Sequence, residues 1–414
     1  MAEFVVVIAD SIRGQGGEKT MAEPLENTLK GSVRLGNYLR RLRVGYGYSL
    51  RRVEERARAE GGEIDNSQLS RYEKGVCYPS FDKLRVLASV FNVSVQAFSD
   101  VVDLEAFEER CPEVEDPAEL TAAGEAAARA GDYGLAFACF EKAVEQLESI
   151  DSGAGAEVGQ ARVNLAHVLA RLGKLALAEQ ELKQALRVAD RLDPAVAARA
   201  LLALAGLHAD QGDLFLAEIE AERAERLSRE SGDTAASAMA VHTIARVFAD
   251  RGRHAEAIER YRAAGEIYAS LGNAYEAARV RVNIGARFVA LGKVREGVRL
   301  LRAALQEAQA SGYRRLEAQA CSNLGEAYYH LADPAQATAC FRRSDSIAGG
   351  GSERYPDLLF FNAYYEWKLA VDQKSPTREK IAFGRLKVLR SSLERRFPEV
   401  EAFDALVERG RSRA

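Results

Sequence analysis

The chain has 414 residues, of which 47% are hydrophobic, 29% are charged and only nine are proline. This composition is typical of folded helical proteins and excludes a disordered chain, and the length allows two or three domains with separate cores. The net charge of −4 excludes a general basic field, so any surface that binds nucleic acid has to be local.

The five cysteines lie far apart, without a CxxC pair and without histidines at ligand spacing. A disulfide framework or a zinc site is therefore not predicted, and free thiols indicate the reducing cytoplasm. The sequence also contains no HExxH or GxSxG motif and no pair of carboxylates placed for catalysis. We therefore expect no enzyme activity, no cofactor and no metal.

Residues 1–32 begin with a short apolar run and continue as a polar, glycine-rich stretch. The run from Phe4 to Ala9 is too short to cross a bilayer or to form the apolar part of a signal peptide, so no membrane partner is predicted. The following glycines are similar to a phosphate-binding loop, but Glu18 separates the last glycine from Lys19 and breaks the required spacing. We predict a flexible leader, which is absent if translation begins at Met21.

Five short helices are predicted in residues 33–100. The first has leucines at helical spacing, and the second runs from Leu50 to Arg58 with Ser49 as its cap. A fourth helix, capped by Ser80, has one apolar face, and a fifth starts at Ser94 and ends near Phe98. The predicted inward-facing residues of the fourth helix are Phe81, Leu84, Leu87, Ala88 and Phe91. Together these helices make one small core.

The third helix is the candidate functional element of this domain. Asp65 is a favourable cap, and Gly75 offers the left-handed position that ends a helix. Leu69 and Tyr72, three residues apart, are expected to face the core. The outward side chains are of the kinds that reach base edges and phosphates, namely Asn66, Ser67, Gln68 and Arg71. Residues 33–100 also carry twelve lysines and arginines against eight acidic residues, a local excess of positive charge.

The segments LGNYLRRLR, YSLRRVEERA, SQLSRYEKG and YPSFDKLRVLASVFNVS follow one another in the order of a known family. In this, residues 33–100 resemble the Cro/C1-type (XRE) helix-turn-helix family. The resemblance implies that the third helix enters the major groove of double-stranded DNA and that its outward residues, Asn66, Ser67, Gln68 and Arg71, meet bases or adjacent phosphates. We predict direct readout by Gln68, because an amide can pair bidentately with adenine. It also implies that three residues of the second helix and its cap contact the DNA backbone, namely Ser49, Arg51 and Arg52.

The sequence departs from the family at two points. Glu54 replaces the usual small residue of the second helix, and the turn before the third helix is longer by the segment from Ala59 to Glu63. The angle between these two helices is therefore less well specified by the pattern. An alternative interpretation is that Gln68 and Arg71 are solvated side chains on a bundle that binds protein.

An acidic linker with two prolines is predicted for residues 101–117, with a short helix from Leu104 to Arg110. Beyond it, turn residues recur with spacings of 42, 39, 40, 40 and 40 residues. Such a period is typical of a solenoid of helical hairpins. The recurring turns are Gly131-Asp132, Gly173-Lys174, Gly212-Asp213, Gly252-Arg253, Gly292-Lys293 and Ala332-Asp333.

Within each period a large apolar residue precedes a small one, as in Ile284-Gly285 and Leu324-Gly325. This pattern resembles the tetratricopeptide motif, with about six extra residues per repeat that we place in the second helix and its following link. The resemblance implies six repeats over residues 118–351, followed by atypical capping helices in residues 352–414. The cap is predicted as one hairpin, with helices from Pro356 to Val371 and from Thr377 to Phe397. The predicted fold is thus all-α, a five-helix helix-turn-helix domain followed by a tetratricopeptide-type solenoid.

In such a solenoid the first helix of each hairpin lines a concave groove, and its polar residues recur about every 40 positions. Amides suit the backbone of an extended peptide because each supplies a donor and an acceptor, and arginines suit acidic groups. The predicted groove residues are Asn164, His167, Arg199, Thr243, Arg246, Arg279, Asn283, Gln319, Asn323 and Glu326, with Gln160, Tyr329 and His330 beside them. The alternative is that any concave helical surface has to be polar.

A Cro/C1-like domain joined to a tetratricopeptide body resembles the RRNPP group of peptide-sensing transcription regulators. This resemblance implies a peptide or protein ligand in the groove, whose binding repositions paired DNA-binding domains. We expect a homodimer on an inverted-repeat operator, since one short helix reads only a few base pairs. The alternative function is an interaction scaffold or adaptor whose helix-turn-helix domain has no regulatory role.

Overall fold

The computed structural model describes residues 31–110, 112–149, 155–189, 193–350, 354–391, 393 and 395–411. In this part of the chain all regular structure is helical, with twenty α-helices and one 3-10 helix. The predicted leader up to residue 30, including the loop-like glycines, lies outside the described residues. The chain forms two compact units that divide between Ala106 and Phe107, inside the segment predicted as a linker.

The first unit contains the five predicted helices. They are α1 (Val33–Gly45), α2 (Leu50–Ala59), α3 (Asn66–Glu73), α4 (Phe81–Val90) and α5 (Val95–Asp103), followed by a 3-10 helix (Leu104–Arg110). Ser49 and Asp65 cap α2 and α3 as predicted, since their side chains accept hydrogen bonds from backbone nitrogens three residues on. The core is apolar and closed, with fully buried Leu39, Val53 and Phe91.

Two details of this unit differ from the prediction. Phe81 is 67% exposed, so its assignment to the inward face of α4 is wrong. The core does not extend to the first turn of this helix, since burial increases along it from exposed Phe81 through half-buried Leu84 to buried Leu87. The fifth helix continues past Phe98 to Asp103 because Val101 and Leu104 are also buried in the core.

The second unit is a series of six helical hairpins, which confirms the predicted solenoid. The hairpins are α6 (Pro117–Arg129) with α7 (Tyr133–Ser149), α8 (Gly155–Arg171) with α9 (Leu175–Ala189), α10 (Pro194–Gln211) with α11 (Leu214–Ser231), α12 (Thr234–Asp250) with α13 (His254–Ser270), α14 (Ala274–Ala290) with α15 (Val294–Ala310), and α16 (Arg314–His330) with α17 (Pro334–Gly349). Three further helices follow, α18 (Pro356–Asp372), α19 (Pro376–Ser391) and α20 (Pro398–Arg411).

Small residues let the two helices of a hairpin approach closely, as the sequence predicts. A Cβ atom at Gly325 in α16 would lie 2.3 Å from Cε1 of Phe341 in α17, and one at Gly285 would lie 2.8 Å from Cγ of Leu301. Such distances leave no room for even a methyl group. The prediction that the extra residues lengthen the second helix is wrong, because α12 and α13 both contain 17 residues.

The cap differs from its prediction at the end of its second helix. We expected that helix to reach Phe397, but α19 ends at Ser391 and α20 begins at Pro398. Proline disfavours a helical conformation in the residue before it and is well tolerated at the first position of a helix. Residues 393 and 395–397 are non-helical, and Leu393 and Phe397 pack into the apolar core of the cap beside Phe360.

Candidate functional sites

The structure separates the two faces of α3 as the sequence predicts. Leu69 and Tyr72 are buried in the core of the first unit, with 1% and 6% of their surface exposed. Asn66, Ser67 and Arg71 are exposed on the opposite face. Two buried apolar side chains thus fix the helix to the core, and three polar side chains on its other face are exposed to solvent. The role of these three residues in binding DNA stays a prediction.

Gln68, the residue predicted to read adenine, is half-buried and already has a partner. Its Oε1 atom accepts a hydrogen bond from Nζ of Lys83 in α4 at 2.9 Å. An amide oxygen has two lone pairs, so a base contact remains compatible with this bond. Lys83 is a site residue that the sequence analysis missed, because no pattern in the sequence indicates that it lies next to Gln68.

The predicted backbone-contacting residues lie at the start of α2. Oγ of Ser49 accepts from the backbone nitrogen of Arg52, so this hydroxyl serves mainly as the helix cap. Both guanidinium groups lie near Glu55, that of Arg51 at 3.6 Å and that of Arg52 at 3.1 Å. These arginines are exposed, and such surface ion pairs are weak, so phosphates can compete for them.

An ion pair that the sequence did not reveal fixes the end of α3. The guanidinium group of Arg43 in α1 binds both carboxylate oxygens of Glu73, at 2.6 and 2.8 Å, and also donates to the carbonyl oxygen of Tyr48. The hydrogen bond to Glu73 raises the pKa of Arg43. One arginine thereby connects α1, the turn before α2, and α3.

The long turn before α3 is packed against α4. A Cβ atom at Gly62 would lie 2.5 Å from Cγ2 of Val86, and Oγ of Ser89 donates to Oε2 of Glu60 at 2.6 Å. Ile64 follows the turn and is buried. The extra residues therefore form a fixed turn, whereas the sequence pattern left the presentation of α3 unspecified.

In the second unit, two cavities of about 830 and 1120 Å³ share part of their lining, and we call them together the groove. The first is mainly apolar and is lined from α8, α10 and α12, with α9 contributing to its wall. The second is polar and extends along α12, α14 and α16 to the cap. The predicted groove residues that line the first cavity are Gln160, Asn164, His167, Arg199 and Thr243. Those that line the second are Thr243, Arg246, Arg279, Asn283, Gln319, Asn323 and Glu326.

The two remaining predicted residues do not line these cavities. Tyr329 donates its hydroxyl hydrogen to Oδ2 of Asp372 at 2.8 Å, and its ring contacts Tyr365. His330 contacts the same two rings. Both residues therefore belong to an aromatic cluster at the start of the cap.

Many polar side chains of the groove bind one another. Nε2 of Gln319 donates to Oδ1 of Asn283 at 3.0 Å, and Nδ2 of Asn283 lies 3.3 Å from Nε2 of His242. Burial, with Arg279 and Arg246 nearby, lowers the pKa of His242 well below its usual value, so its imidazole is neutral and can accept a hydrogen bond. This chain of contacts, which we call the amide ladder, links three successive repeats.

The arginines predicted to take acidic groups also have internal partners. Arg246 binds Oδ1 of Asp210 and the carbonyl oxygen of Gly206, each at 3.0 Å. Arg279 lies 2.6 Å from Glu276. Some capacity to form hydrogen bonds with a ligand remains, because four buried groove atoms have no hydrogen-bond partner among the described residues. These atoms are Gln160 Oε1, Arg246 Nε, His254 Nδ1 and Arg279 Nε.

The cap contributes groove residues that the sequence analysis missed. Arg395 lines both cavities, and Leu393, Phe397 and Glu399 line the second. Burial and the nearby charge of Glu326 raise the pKa of Glu399 to about 7. The two arginines before Phe397 are evident in the sequence. Because they were assigned to a helix, the sequence did not predict that they lie at the wall of the groove.

In the described part of the chain, no single helix is long and apolar enough to cross a membrane. Helix α4 and the helical segment after it are together long and apolar enough for a membrane span, but the pair is bent by 112°.

Comparison with known families gives matches in both units. Residues 39–98 match the helix-turn-helix family, and residues 118–191 and 318–349 match tetratricopeptide repeat families. These are families of regulatory or scaffold proteins. A comparison with curated protein sequences gives no match.

Two solved structures, with TM-scores above 0.5, show the same kind of solenoid. Aspartyl phosphate phosphatase F from Bacillus subtilis is 13% identical, with 92% of this chain and 98% of that one covered and a TM-score of 0.54. A Rap protein complexed with Competence and Sporulation Factor is 17% identical, with coverages of 86% and 99% and a TM-score of 0.53. Bacillus thuringiensis PlcR, in complex with the peptide PapR7 and DNA, is 16% identical, with coverages of 70% and 99% and a TM-score of 0.35. The family matches thus identify, in this chain, a helix-turn-helix unit followed by tetratricopeptide repeats.

Proposed function

We propose that this protein is a sequence-specific DNA-binding transcription regulator whose solenoid binds a peptide or protein ligand. The observation that carries this proposal is the outward face of α3 in a helix-turn-helix unit. Asn66, Ser67 and Arg71 are exposed there, while Leu69 and Tyr72 fix the helix to the core. Exposed amides, hydroxyls and guanidinium groups on a short helix are the groups that bind base edges and phosphates.

The surroundings of α3 support DNA as the partner. Residues 33–100 carry an excess of positive charge in an otherwise acidic chain, and a local basic surface favours phosphate contacts. The bidentate pair of Arg43 with Glu73 holds α3 in one orientation, and specific readout requires such rigidity. Because one short helix reads only a few base pairs, the active form is a homodimer on an inverted-repeat operator in the cytoplasm.

The groove supports a ligand in the second unit. Its cavities, of about 830 and 1120 Å³, have the size of typical binding sites. Buried polar atoms without partners, such as Nε of Arg246 and Nδ1 of His254, are unfavourable unless a ligand or water binds them. A Rap protein with the same fold has been solved in complex with Competence and Sporulation Factor.

A ligand in the groove would contact several repeats at once. In a solenoid, small rotations between neighbouring hairpins add up, so a ligand with different affinity for two curvatures shifts the population between them. We infer that the ligand regulates DNA binding through this shift and that neither unit carries out catalysis.

Selection of DNA from a random duplex library by the full-length chain tests the main proposal. We expect enrichment of an inverted repeat with half-sites about one helical turn apart. Light scattering should show a dimer on the selected DNA. If no sequence is enriched although the solenoid retains a protein partner, the regulator proposal is wrong and the scaffold alternative holds.

A further inference from the structure

Residues 395–397, between α19 and α20, lie against the wall of the groove. The backbone nitrogen of Arg396 donates to the carbonyl oxygen of Asp210 in α10 at 2.7 Å. Arg395 lines both cavities at the position where they share Asp210, Gly206 and Thr243. Non-helical backbone from the cap thus occupies the region between the two cavities. We call residues 395–397 the inserted segment.

The hydrogen bond to Asp210 uses an acceptor that a helix end leaves free. The last four carbonyl groups of an α-helix have no partner within the helix, and Asp210 lies in the last turn of α10. Positive charge is also favourable there because of the helix dipole. The neighbouring Gly212 makes room, since a Cβ atom at this residue would lie 3.2 Å from Cδ of Arg396. The wall therefore binds this segment as it would bind an extended basic peptide.

The ion pairs of Arg395 show that the inserted segment can leave without exposing buried charge. Its guanidinium group lies 3.4 Å from Asp210 and 3.4 Å from Asp357. Asp210 is also paired with Arg246 at 3.0 Å, and Asp357 with Arg315 at 2.7 Å. Each carboxylate keeps an arginine when Arg395 moves away, so the large penalty of an unpaired buried charge does not arise.

Apolar contacts tether the inserted segment at both ends. Leu393 is buried, and the ring of Phe397 packs edge to face on Phe360 with a centroid distance of 5.8 Å. Arg395 also lies over the Phe397 ring, at 5.8 Å from its centroid. The tether keeps the arginines at high local concentration near the acidic wall, and a free ligand has to compete with that concentration.

We propose that Arg395 and Arg396 are an internal occupant of the groove and that the ligand is an extended peptide which displaces them with an arginine placed two residues before an aromatic residue. This inference rests on the proposed ligand-binding function of the groove and adds the chemistry of the ligand. The acidic pair of Asp210 and Asp357 selects the arginine, and the carbonyl group of Asp210 binds a backbone N–H of the peptide.

A fluorescein-labelled synthetic peptide with the sequence of residues 393–399, LERRFPE, tests this proposal by fluorescence anisotropy on the full-length chain. In the wild type the tethered segment competes, so binding is weak. The double variant Arg395→Ala with Arg396→Ala keeps the backbone of the segment but lacks the two guanidinium groups that compete for Asp210 and Asp357. We expect at least about tenfold tighter binding of the peptide to it, because tethered groups reach millimolar effective concentrations. Arg395→Glu, whose charge is repelled by Asp210 and Asp357, should act in the same direction.

Three controls decide the outcome. The variant Arg378→Ala with Lys380→Ala removes the same charge from an exposed part of α19 and should bind as weakly as the wild type. A peptide with both arginines replaced by alanine should not bind, and circular dichroism checks that each variant is folded. Equal affinity of all four proteins, or equal binding of the alanine peptide, would overturn the proposal. Because the assay contains no DNA, failure here leaves the DNA-binding proposal standing, and failure of the DNA selection leaves this one standing.

Discussion

The polar face of α3 and the polar face of the groove use similar side chains in different ways. On α3, Asn66, Ser67 and Arg71 are exposed to solvent. In the groove, Asn283 and Gln319 bind each other, and Arg246 binds Asp210. Polar residues of the first kind are available for a partner at once. Those of the second kind contribute to the stability of the solenoid, so a ligand has to exchange existing contacts for new ones.

The largest effect is expected on α3. Gln68→Ala combined with Arg71→Ala should weaken binding to the selected operator by at least about a hundredfold, because each specific base contact contributes roughly 1–3 kcal/mol. Arg71 is exposed and Gln68 is half-buried, so thermal unfolding should change little. Electrophoretic mobility shift with the selected duplex measures the affinity.

A matched control for this experiment is Gln96→Ala combined with Arg40→Ala, which removes the same residue types from exposed positions outside α3. This control should bind the selected duplex nearly as tightly as the wild type. Its affinity should depend on salt concentration as that of the wild type does, apart from the small effect of losing the charge of Arg40. If both double variants lose affinity equally, α3 is not the recognition helix and the difference between the two faces has no functional meaning.

The contrast also explains how far the sequence could predict each site. The outward face of α3 follows from eight consecutive residues, so helical geometry alone places Asn66 and Arg71 together. The polar lining of the groove follows from the period of about 40 residues, which places Asn283 and Gln319 on the first helices of neighbouring repeats. The fold was predictable for the same reason, because helical periodicity and caps are local properties.

Contacts between distant parts of the chain could not be predicted in this way. Nothing in the sequence indicates that Lys83 binds Gln68 or that Arg43 pairs with Glu73, since both contacts depend on how helices pack. Arg395 was assigned to a helix that in fact ends earlier, although Pro398 would have allowed a break before it. The sequence therefore predicted the groove lining from the repeats and missed the lining that comes from the cap.

A buried histidine tests the contribution of internal polar contacts to solenoid stability. His208 lies between Glu220, at 2.7 Å, and Glu179, at 3.6 Å. Burial alone lowers the pKa of His208, but the hydrogen bonds to the two carboxylates raise it to about 9. Because the folded pKa exceeds the unfolded value, this stabilisation is complete below pH 6.5 and is lost as pH rises through 9.

We expect the free energy of unfolding to fall by about 2–3 kcal/mol more in the wild type than in His208→Gln between pH 6.5 and 9.5. Urea unfolding followed by circular dichroism measures this difference. Glutamine keeps a hydrogen bond but does not titrate, so it isolates the histidine from other groups. Parallel pH profiles for the two proteins would show that the buried cluster does not hold a proton.

The amide ladder allows a smaller test of the same comparison. Asn283→Ala removes the hydrogen bonds to Gln319 and His242, so unfolding should become easier by about 1–2 kcal/mol even without ligand. Gln336→Ala on the exposed surface of α17 should have almost no effect. An unchanged free energy of unfolding for Asn283→Ala would mean that the amide ladder does not stabilise the solenoid. Its side chains would then serve only to bind a ligand, as those of the α3 face serve to bind DNA.

The smallest effect is expected where the cap enters the groove. Burial and the charge of Glu326 raise the pKa of Glu399 to about 7, partly offset by Arg287, while Asp250 adds to the increase. The folded pKa lies above that of a free carboxyl group, so the stabilisation from neutral Glu399 is lost as pH rises through 7. Ionised Glu399 is repelled by Glu326, which weakens the hold on the inserted segment.

A LERRFPQ peptide, whose last residue does not titrate, should therefore bind the wild type about threefold to tenfold more tightly at pH 8 than at pH 6, since one pKa unit corresponds to about 1.4 kcal/mol. Glu399→Gln stays neutral and should show the same affinity at both pH values. Anisotropy titrations at matched ionic strength measure the two ratios. A wild type whose affinity does not change with pH would show that Glu399 does not control the segment, which is then held by Arg395, by the hydrogen bond of Arg396 to Asp210 and by its apolar contacts.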